Sequence, residues 1–330
     1  MRAAIIGIEG PALLPPERDT LAAHPPAGVI LFARNIVDPP QLRALIAALR
    51  AILPPDALMV VDQEGGRVAR LGPPHWRAHA PARHIGLLHE RDPPAGLRAA
   101  WLTGALIGLD CAASGFNVVC APVLDLLHPG AHAVIGNRSF GADPESVGVL
   151  GRAVAHGLLA AGVQPVCKHA PGHGRAAADS HLELPRVDEG DLDADLEPFA
   201  LNADLPWFMT AHILYTAWDA DRPATLSPAI VGGIIRDRLG FAGVLVTDDL
   251  AMQALPEDPA GSARQALAAG CDLALYCAGD LERTAAVLAA VPDVTPQTTA
   301  RLAAAREVAA GRRCALGAES LLAERDRLLS

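Results

Sequence analysis

The stretch Gly243-Val244-Leu245-Val246-Thr247-Asp248-Asp249 decides the architecture. An unbroken aliphatic run ends abruptly in two carboxylates. A strand with one wet face would alternate apolar with polar residues, so a run without alternation reads as a strand buried on both faces. Working outward, the same kind of run recurs at Ala4 to Ile8, Gly28 to Ala33, Leu58 to Asp62, Asn117 to Pro122, Gln164 to His169, Trp207 to His212 and Asp272 to Cys277. Between the runs lie helix-like stretches, among them Pro40 to Leu53, Pro144 to Ala161, Ser227 to Leu239 and Gly261 to Gly270. Eight such strands with helices between most of them predict an α/β fold, a single (β/α)8 barrel of the TIM type, over an open doubly wound sheet. A dinucleotide fold would carry GxGxxG after the first strand, and Gly7-Ile8-Glu9-Gly10 does not supply it.

One domain is expected to span residues 1–330, with the Ala/Leu/Arg/Glu-rich tail from about 295 to 330 forming two closing helices. The segment Gly72 to Gly96 contains Pro73, Pro74, Pro81 and several histidines. Proline blocks helix continuation, so much of this segment is expected to be a loop over the barrel mouth.

About half the residues are apolar and under a fifth are charged, which suits a sizeable core and excludes a disordered chain. The net charge of −10 argues against a nucleic-acid partner, because phosphate binding needs an excess of Lys and Arg. The six cysteines, Cys111, Cys120, Cys167, Cys271, Cys277 and Cys314, form no CxxC pair and sit mostly in apolar runs. They read as buried reduced thiols. The first apolar stretch is short and broken by Glu9, so no signal segment is expected. Nor does any segment reach the ~18 apolar residues of a membrane span. A cytoplasmic location is expected.

Polar residues gather where apolar runs end. Val60-Val61 leads to Asp62-Gln63-Glu64-Gly65-Gly66-Arg67, Val166-Cys167 to Lys168-His169, and Phe208-Met209 to Thr210-Ala211-His212. In a barrel the C-terminal strand ends converge on one mouth, so these residues are expected to share a pocket with Asp248. Any single charged strand end could equally be a solvated cap. A carboxylate at position 248 can serve as nucleophile or base. Asp249 is its rival and a candidate helix cap, and alternation along a strand should send the two in different directions.

The segment Lys168-His169-Ala170-Pro171-Gly172-His173-Gly174, followed by Asp179-Ser180-His181, is the densest polar cluster. A carboxylate two residues from a histidine can orient the imidazole in a turn, and an imidazole near pKa 6.5 exchanges protons at neutrality. Three histidines and an aspartate could hold zinc, but neither HxH nor HExxH is present, and no metal or cofactor is expected. Lys168 has the placement of a Schiff-base lysine, but the preferred reading is a charged donor to substrate hydroxyls.

The stretch Val61 to Leu71 resembles the signature of bacterial β-N-acetylhexosaminidases of glycoside hydrolase family 3. Gly28 to Asn35, Ala121 to Asp125, Ile135 to Gly141, Lys168 to His181 and Thr247 to Met252 are similar to further motifs of that family, in its order. A visible departure is Ala170, where the family commonly has Phe. The resemblance implies a retaining glycosidase without cofactor, acting on terminal β-linked N-acetylglucosamine in cell-wall fragments, a small carbohydrate or muropeptide substrate. It implies Asp248 as nucleophile, His181 as acid/base with Asp179 as its dyad partner, and Asp62, Arg70, Arg138, Lys168 and His169 as the residues gripping the terminal sugar. Glu64 is the nearest rival acid, and as a structural residue it would brace its loop or pair with an arginine. A β-glucosidase of the same family, a barrel aldolase using Lys168, and a non-catalytic sugar-binding barrel are the competing readings.

Overall fold

The computed structural model describes the whole chain except Ala131, Ala177, His181, Glu189, Asp191 and Glu257. The apolar runs become parallel strands β1 (Arg2–Gly7), β2 (Pro26–Leu31), β3 (Leu58–Val61) and β4 (Val118–Val119). They continue as β5 in two pieces (Gln164–Pro165 and Cys167–Ala170), β6 (Trp207–Thr210), β7 (Val244–Asp249) and β8 (Leu273–Tyr276). From β1 the sheet runs one way through β2, β3 and β4 to the first piece of β5, and the other way through β8, β7 and β6 to the second piece. It therefore closes on β5 as an eight-stranded parallel barrel. The register sets Ile5 against Gly28 and Leu275, Val60 against Val118, and Phe208 against Cys167.

The strands do alternate, but between two apolar environments. Ile5, Ile30, Val60, Val118, Val166, Met209, Val246 and Leu275 form one buried cluster inside the barrel. Their neighbours Ile6, Val29, Val61, Val119, Cys167, Phe208, Leu245 and Ala274 belong to a second cluster, packed under the helices. Each fully buried side chain of this size stabilises the fold by roughly 1.5–3 kcal/mol before entropy is counted.

Ten α-helices are described: α1 (Pro15–Ala23), α2 (Pro39–Arg50), α3 (Ala82–Arg91), α4 (Pro93–Ser114), α5 (Pro144–Ala160), α6 (Leu192–Ala200), α7 (Pro259–Ala269), α8 (Leu281–Ala290), α9 (Pro296–Arg312) and α10 (Ala318–Leu329). The stretch Ala229–Arg238 winds as a π-helix between β6 and β7. Helix starts are written locally as Asp-Pro. Asp38, Asp92, Asp143 and Asp258 each accept a backbone N–H of the first turn, and the proline that follows stands where its missing N–H costs nothing. Among the described residues no helix is long and apolar enough to cross a membrane.

The tail forms its two helices, with different jobs. α9 closes the N-terminal end of the barrel, where Leu302 and Ala305 join the inner cluster. Beside it the buried Asp272 receives Arg236 at 2.7 Å, Arg301 at 2.9 Å and the Thr298 hydroxyl at 3.0 Å. α10 instead buttresses α4, with Leu321 against Leu102, Ala105 and Leu106.

The expectation for Gly72 to Gly96 is corrected. The segment runs along the outside of α4: Trp76 Nε1 donates to Ser114 at 3.0 Å, and His79 sits between Asp110 at 3.3 Å and Arg325 at 3.1 Å. Its second half is α3, and none of its residues lines the mouth cavity. Pro81 sits just before the first turn of α3, and Pro93 and Pro94 open α4. Proline density marks a helix boundary here and not a continuous loop.

Candidate active site

A cavity of about 230 Å³ opens at the C-terminal ends of the strands. It is lined by Asp62, Arg70, Arg138, Lys168, His169, Asp179 and Asp248. These are seven of the eight residues expected from sequence. The eighth, His181, lies outside the described residues.

A hairpin after β3, Gln63–Gly65 against Val68–Ala69, builds one wall. The fully buried Gln63 ties it: Oε1 accepts from Arg70 N at 2.7 Å and Leu71 N at 3.0 Å, and Nε2 donates to Leu71 O at 2.8 Å. Gly65 and Gly66 turn with φ of 99° and 55°, and a Cβ on either would meet Ala80 or Pro81. Only glycine satisfies both conditions.

The deep wall is a five-member ion network. Lys168 Nζ lies 2.9 Å from Asp62 and 2.7 Å from Glu64. Arg70 meets Asp62 at 3.2 Å, and Arg138 grips Glu64 through two bonds of 2.8 Å. Burial alone would raise both carboxyls, but Lys168 with Arg70, and Lys168 with Arg138, outweigh it. Asp62 is held below the ordinary range and Glu64 falls to about 2. Burial works against the Lys168 ammonium, yet the two carboxylates hold its pKa above the ordinary value. Lys168 therefore stays charged. Schiff-base chemistry needs a neutral amine, so this wiring speaks against the aldolase reading.

Opposite, Asp125 is fully buried and organises β5. One oxygen accepts from His169 N at 3.1 Å and His173 N at 2.7 Å; the other accepts from His169 Nδ1 at 2.6 Å. Burial is again outweighed by the imidazoles and N–H donors, and Asp125 stays ionised. The His169 ring is thereby turned so that Nε2 faces the cavity, 3.5 Å from Arg138 and 4.0 Å from Asp248. His173 is pushed down to about 4, by burial first and then His169, and its Nε2 meets Ser180 Oγ at 3.0 Å. That contact ties the loop carrying Asp179 to β5.

Both adjacent aspartates line the cavity, but their oxygens are committed differently. Asp249 turns to the wall, where one oxygen accepts from Ala251 N and Cys277 N, both at 2.9 Å. Asp248 turns toward His169, with one oxygen accepting its neighbour's N–H at 2.8 Å. Burial would raise the Asp248 carboxyl, but His169 and His212 prevail and hold it below its ordinary value. Burial raises Asp249. His212 is buried between the Thr225 hydroxyl at 2.7 Å and the Asp249 carbonyl at 3.0 Å, so it supports the end of β7. Among the described residues no group of three or more His, Cys, Asp or Glu is placed to hold a metal ion.

Sequence reasoning passes over Gln63, Asp125 and His173 as organisers. Asp125 carries a signal of the kind used elsewhere, since the run Ala121 to Leu124 also ends in a carboxylate. Gln63 carries none, because an uncharged amide beside Asp62 and Glu64 does not mark itself as a buried tie.

The mouth thus sets the Asp248 carboxylate beside a wall of paired cations and carboxylates, a dense array of polar groups that could hydrogen-bond a polyhydroxylated ligand. Comparison with known proteins gives the class. Residues 15–308 match the glycosyl hydrolase family 3 N terminal domain. The β-hexosaminidase of Alkalilimnicola ehrlichii is 43% identical over 308 residues, covering 90% of this chain and 86% of that protein. That of Methylococcus capsulatus is 42% identical over 305 residues, covering 89% of each. The crystal structure of NagZ from Neisseria gonorrhoeae in complex with N-trifluoroacetyl-D-glucosamine superposes with a TM-score of 0.88 at 31% identity, over 100% of this chain and 98% of that one. The chain belongs to glycosyl hydrolase family 3 and is a glycoside hydrolase of its β-hexosaminidase group.

Proposed function

We propose that this chain is a retaining exo-β-N-acetylglucosaminidase. Its substrate is terminal non-reducing GlcNAc on peptidoglycan fragments such as GlcNAc-1,6-anhydroMurNAc, with or without peptide. Relatives named β-hexosaminidase, and a structural neighbour that binds a glucosamine derivative, support the sugar. The observation that carries the chemistry is Asp248: ionised, in the mouth, and apart from the ion network that immobilises Asp62 and Glu64.

In this reading Asp248 attacks the anomeric carbon and forms a covalent glycosyl-enzyme. His181, oriented by Asp179, protonates the departing oxygen. It then takes a proton from water, and hydrolysis restores the starting configuration. Asp62, Arg70, Arg138, Lys168 and His169 hold the hydroxyls and the ring, and a sugar lacking the matching groups leaves them unpaired. The chemistry uses no cofactor, residues 1–330 act as one domain, and the location is cytoplasmic, where wall fragments are recycled.

A panel of nitrophenyl glycosides tests the assignment, with product configuration read by NMR and activity repeated after EDTA. β-GlcNAc should be cleaved far faster than β-glucose, with retention and no metal requirement. Faster glucoside cleavage would select the β-glucosidase reading. Loss in EDTA restored by Zn²⁺ would overturn the cofactor-free chemistry.

Sugar binding has its own test. Asp62→Ala removes one of the two carboxylates on Lys168 and the partner of Arg70. We expect kcat/KM on β-GlcNAc substrates to fall about 10- to 100-fold, largely through KM, since buried donors are left without their acceptor. Unchanged kinetics would place Asp62 outside the sugar site.

A further inference from the structure

We propose that Arg67 forms an anion-recognising subsite for the leaving group, so that the enzyme favours aglycones bearing a carboxylate within one sugar of the scissile bond. This rests on the exo-glycosidase reading above. An exo pocket takes the terminal sugar at its buried end, and the aglycone meets the rim. Among the described residues lining the cavity, Arg67 is the one that is exposed.

Its guanidinium is fixed yet unused. A single nitrogen, NH2, donates to the carbonyls of Ala133 at 2.8 Å, Val134 at 2.5 Å and Ile135 at 3.3 Å. Among the described residues its Nε and NH1 have no acceptor, and no carboxylate lies within 4 Å of it. The contrast with its neighbours is sharp. Arg70 is committed to Asp62, Arg138 to Glu64, and Lys168 to both carboxylates. Deeper in the cavity Asp248 repels an incoming anion, and Asp179 and Asp249 add further carboxyl groups to the lining. In a chain of net charge −10, an anionic aglycone thus finds an available cation at the rim and not below it. The carbonyl anchors pre-set the guanidinium, so binding a carboxylate orders little that is not already ordered. Both two-donor edges of a guanidinium include NH2, so a carboxylate is met here by a single charge-assisted donor, Nε or NH1.

That carboxylate has two possible sources in a wall fragment: the lactyl ether acid of a muramic residue, or an acidic residue of an attached peptide. The proposal takes the lactyl acid, being closest to the bond cleaved. The probes are 3-carboxyphenyl and 3-carbamoylphenyl β-GlcNAc, then the peptide-free disaccharide and its lactyl methylamide. The readout is the ratio of kcat/KM, charged over neutral, within each pair. We expect the ratio to exceed one in the wild type and to fall about fivefold in Arg67→Gln, with part retained in Arg67→Lys. About 0.5 M NaCl should bring the wild-type ratio toward that of the variant. A ratio unaltered by Arg67→Gln would overturn the subsite. Equal losses on charged and neutral members would also overturn it, leaving Arg67 as a brace for residues 133–135. An effect on the aryl pair but none on the disaccharide pair would overturn the lactyl assignment in favour of peptide. If only glucosides turn over, the N-acetylglucosamine reading falls, and the same ratio is read on the glucoside pair.

Discussion

Asp248→Asn should lower turnover by roughly 10⁴-fold or more and abolish covalent labelling by a 2-fluoro or 5-fluoro GlcNAc-type probe, while leaving the fold intact. The geometry explains why the loss should be chemical. One Asp248 oxygen accepts only the N–H of Asp249, an interaction that asparagine can keep. What asparagine removes is the negative charge that the carboxylate shares over both oxygens, including the one 4.0 Å from His169. In Asp248→Ala, azide can enter the vacated space and attack an activated glycoside directly, giving the α-glycosyl azide by a single inversion. Asp249→Asn should behave differently. Its Oδ1 accepts two backbone N–H groups, and an amide oxygen can still do so, so trappable intermediate should persist with at most a modest loss of stability. Peptide mapping of the labelled protein reads this out directly. Label on Asp249, on Glu64 or on no carboxylate would sink the assignment of Asp248. Inverted product from the wild type would sink the double displacement with it.

The separation of these two aspartates is legible in the sequence alone, and the reason is general. Side chains alternate along a strand, so adjacent residues take different partners, and here Asp249 bonds the wall while Asp248 turns toward His169. The barrel is legible for a related reason: its strands are apolar on both faces, and that double burial erases the alternation which would signal an antiparallel sheet. Even β4, only Val118–Val119, stands out through its apolar surroundings. Helix starts at Asp38-Pro39, Asp92-Pro93, Asp143-Pro144 and Asp258-Pro259 are equally local and can be read one by one. What local reading does not supply is pairing at a distance. Glu64 and Arg138 are 74 residues apart and Asp62 and Lys168 are 106 apart, and nothing in either stretch names its partner. The same blindness explains the error at Gly72 to Gly96. Whether that segment covers the mouth or descends along α4 depends on Asp110, Ser114 and Arg325, all contributed by later parts of the chain.

His181→Ala should slow substrates with poor leaving groups by about 10²–10⁴-fold and activated aryl glycosides far less, because only the former need a proton at departure. The wiring of the mouth narrows the alternatives. Glu64 at about 2 and Asp62 below its ordinary value are ionised at neutrality and have no proton to give. His173, at about 4 and buried, is neutral and committed to Ser180. Asp249 is raised by burial, and one of its two oxygens is occupied by two N–H donors of the wall. His169 is locked on Asp125 and stands beside Asp248. The His181–Asp179 dyad is what the family resemblance implies, and Asp179 lines the cavity. The pH profile supplies a second reading. Asp248 has a depressed pKa, so its ionised form persists as pH falls and is lost only below the ordinary 3.8; the acid limb of kcat/KM should lie there. In the proposed mechanism the alkaline limb follows loss of the His181 proton. His181→Ala should erase the alkaline limb and keep the acid one. Asp179→Ala should shift the alkaline limb toward lower pH and cost less activity, since the imidazole remains while the carboxylate that favours its charged form is gone. Equal losses on good and poor leaving groups, or an alkaline limb that survives in His181→Ala, would hand the proton transfer to another group.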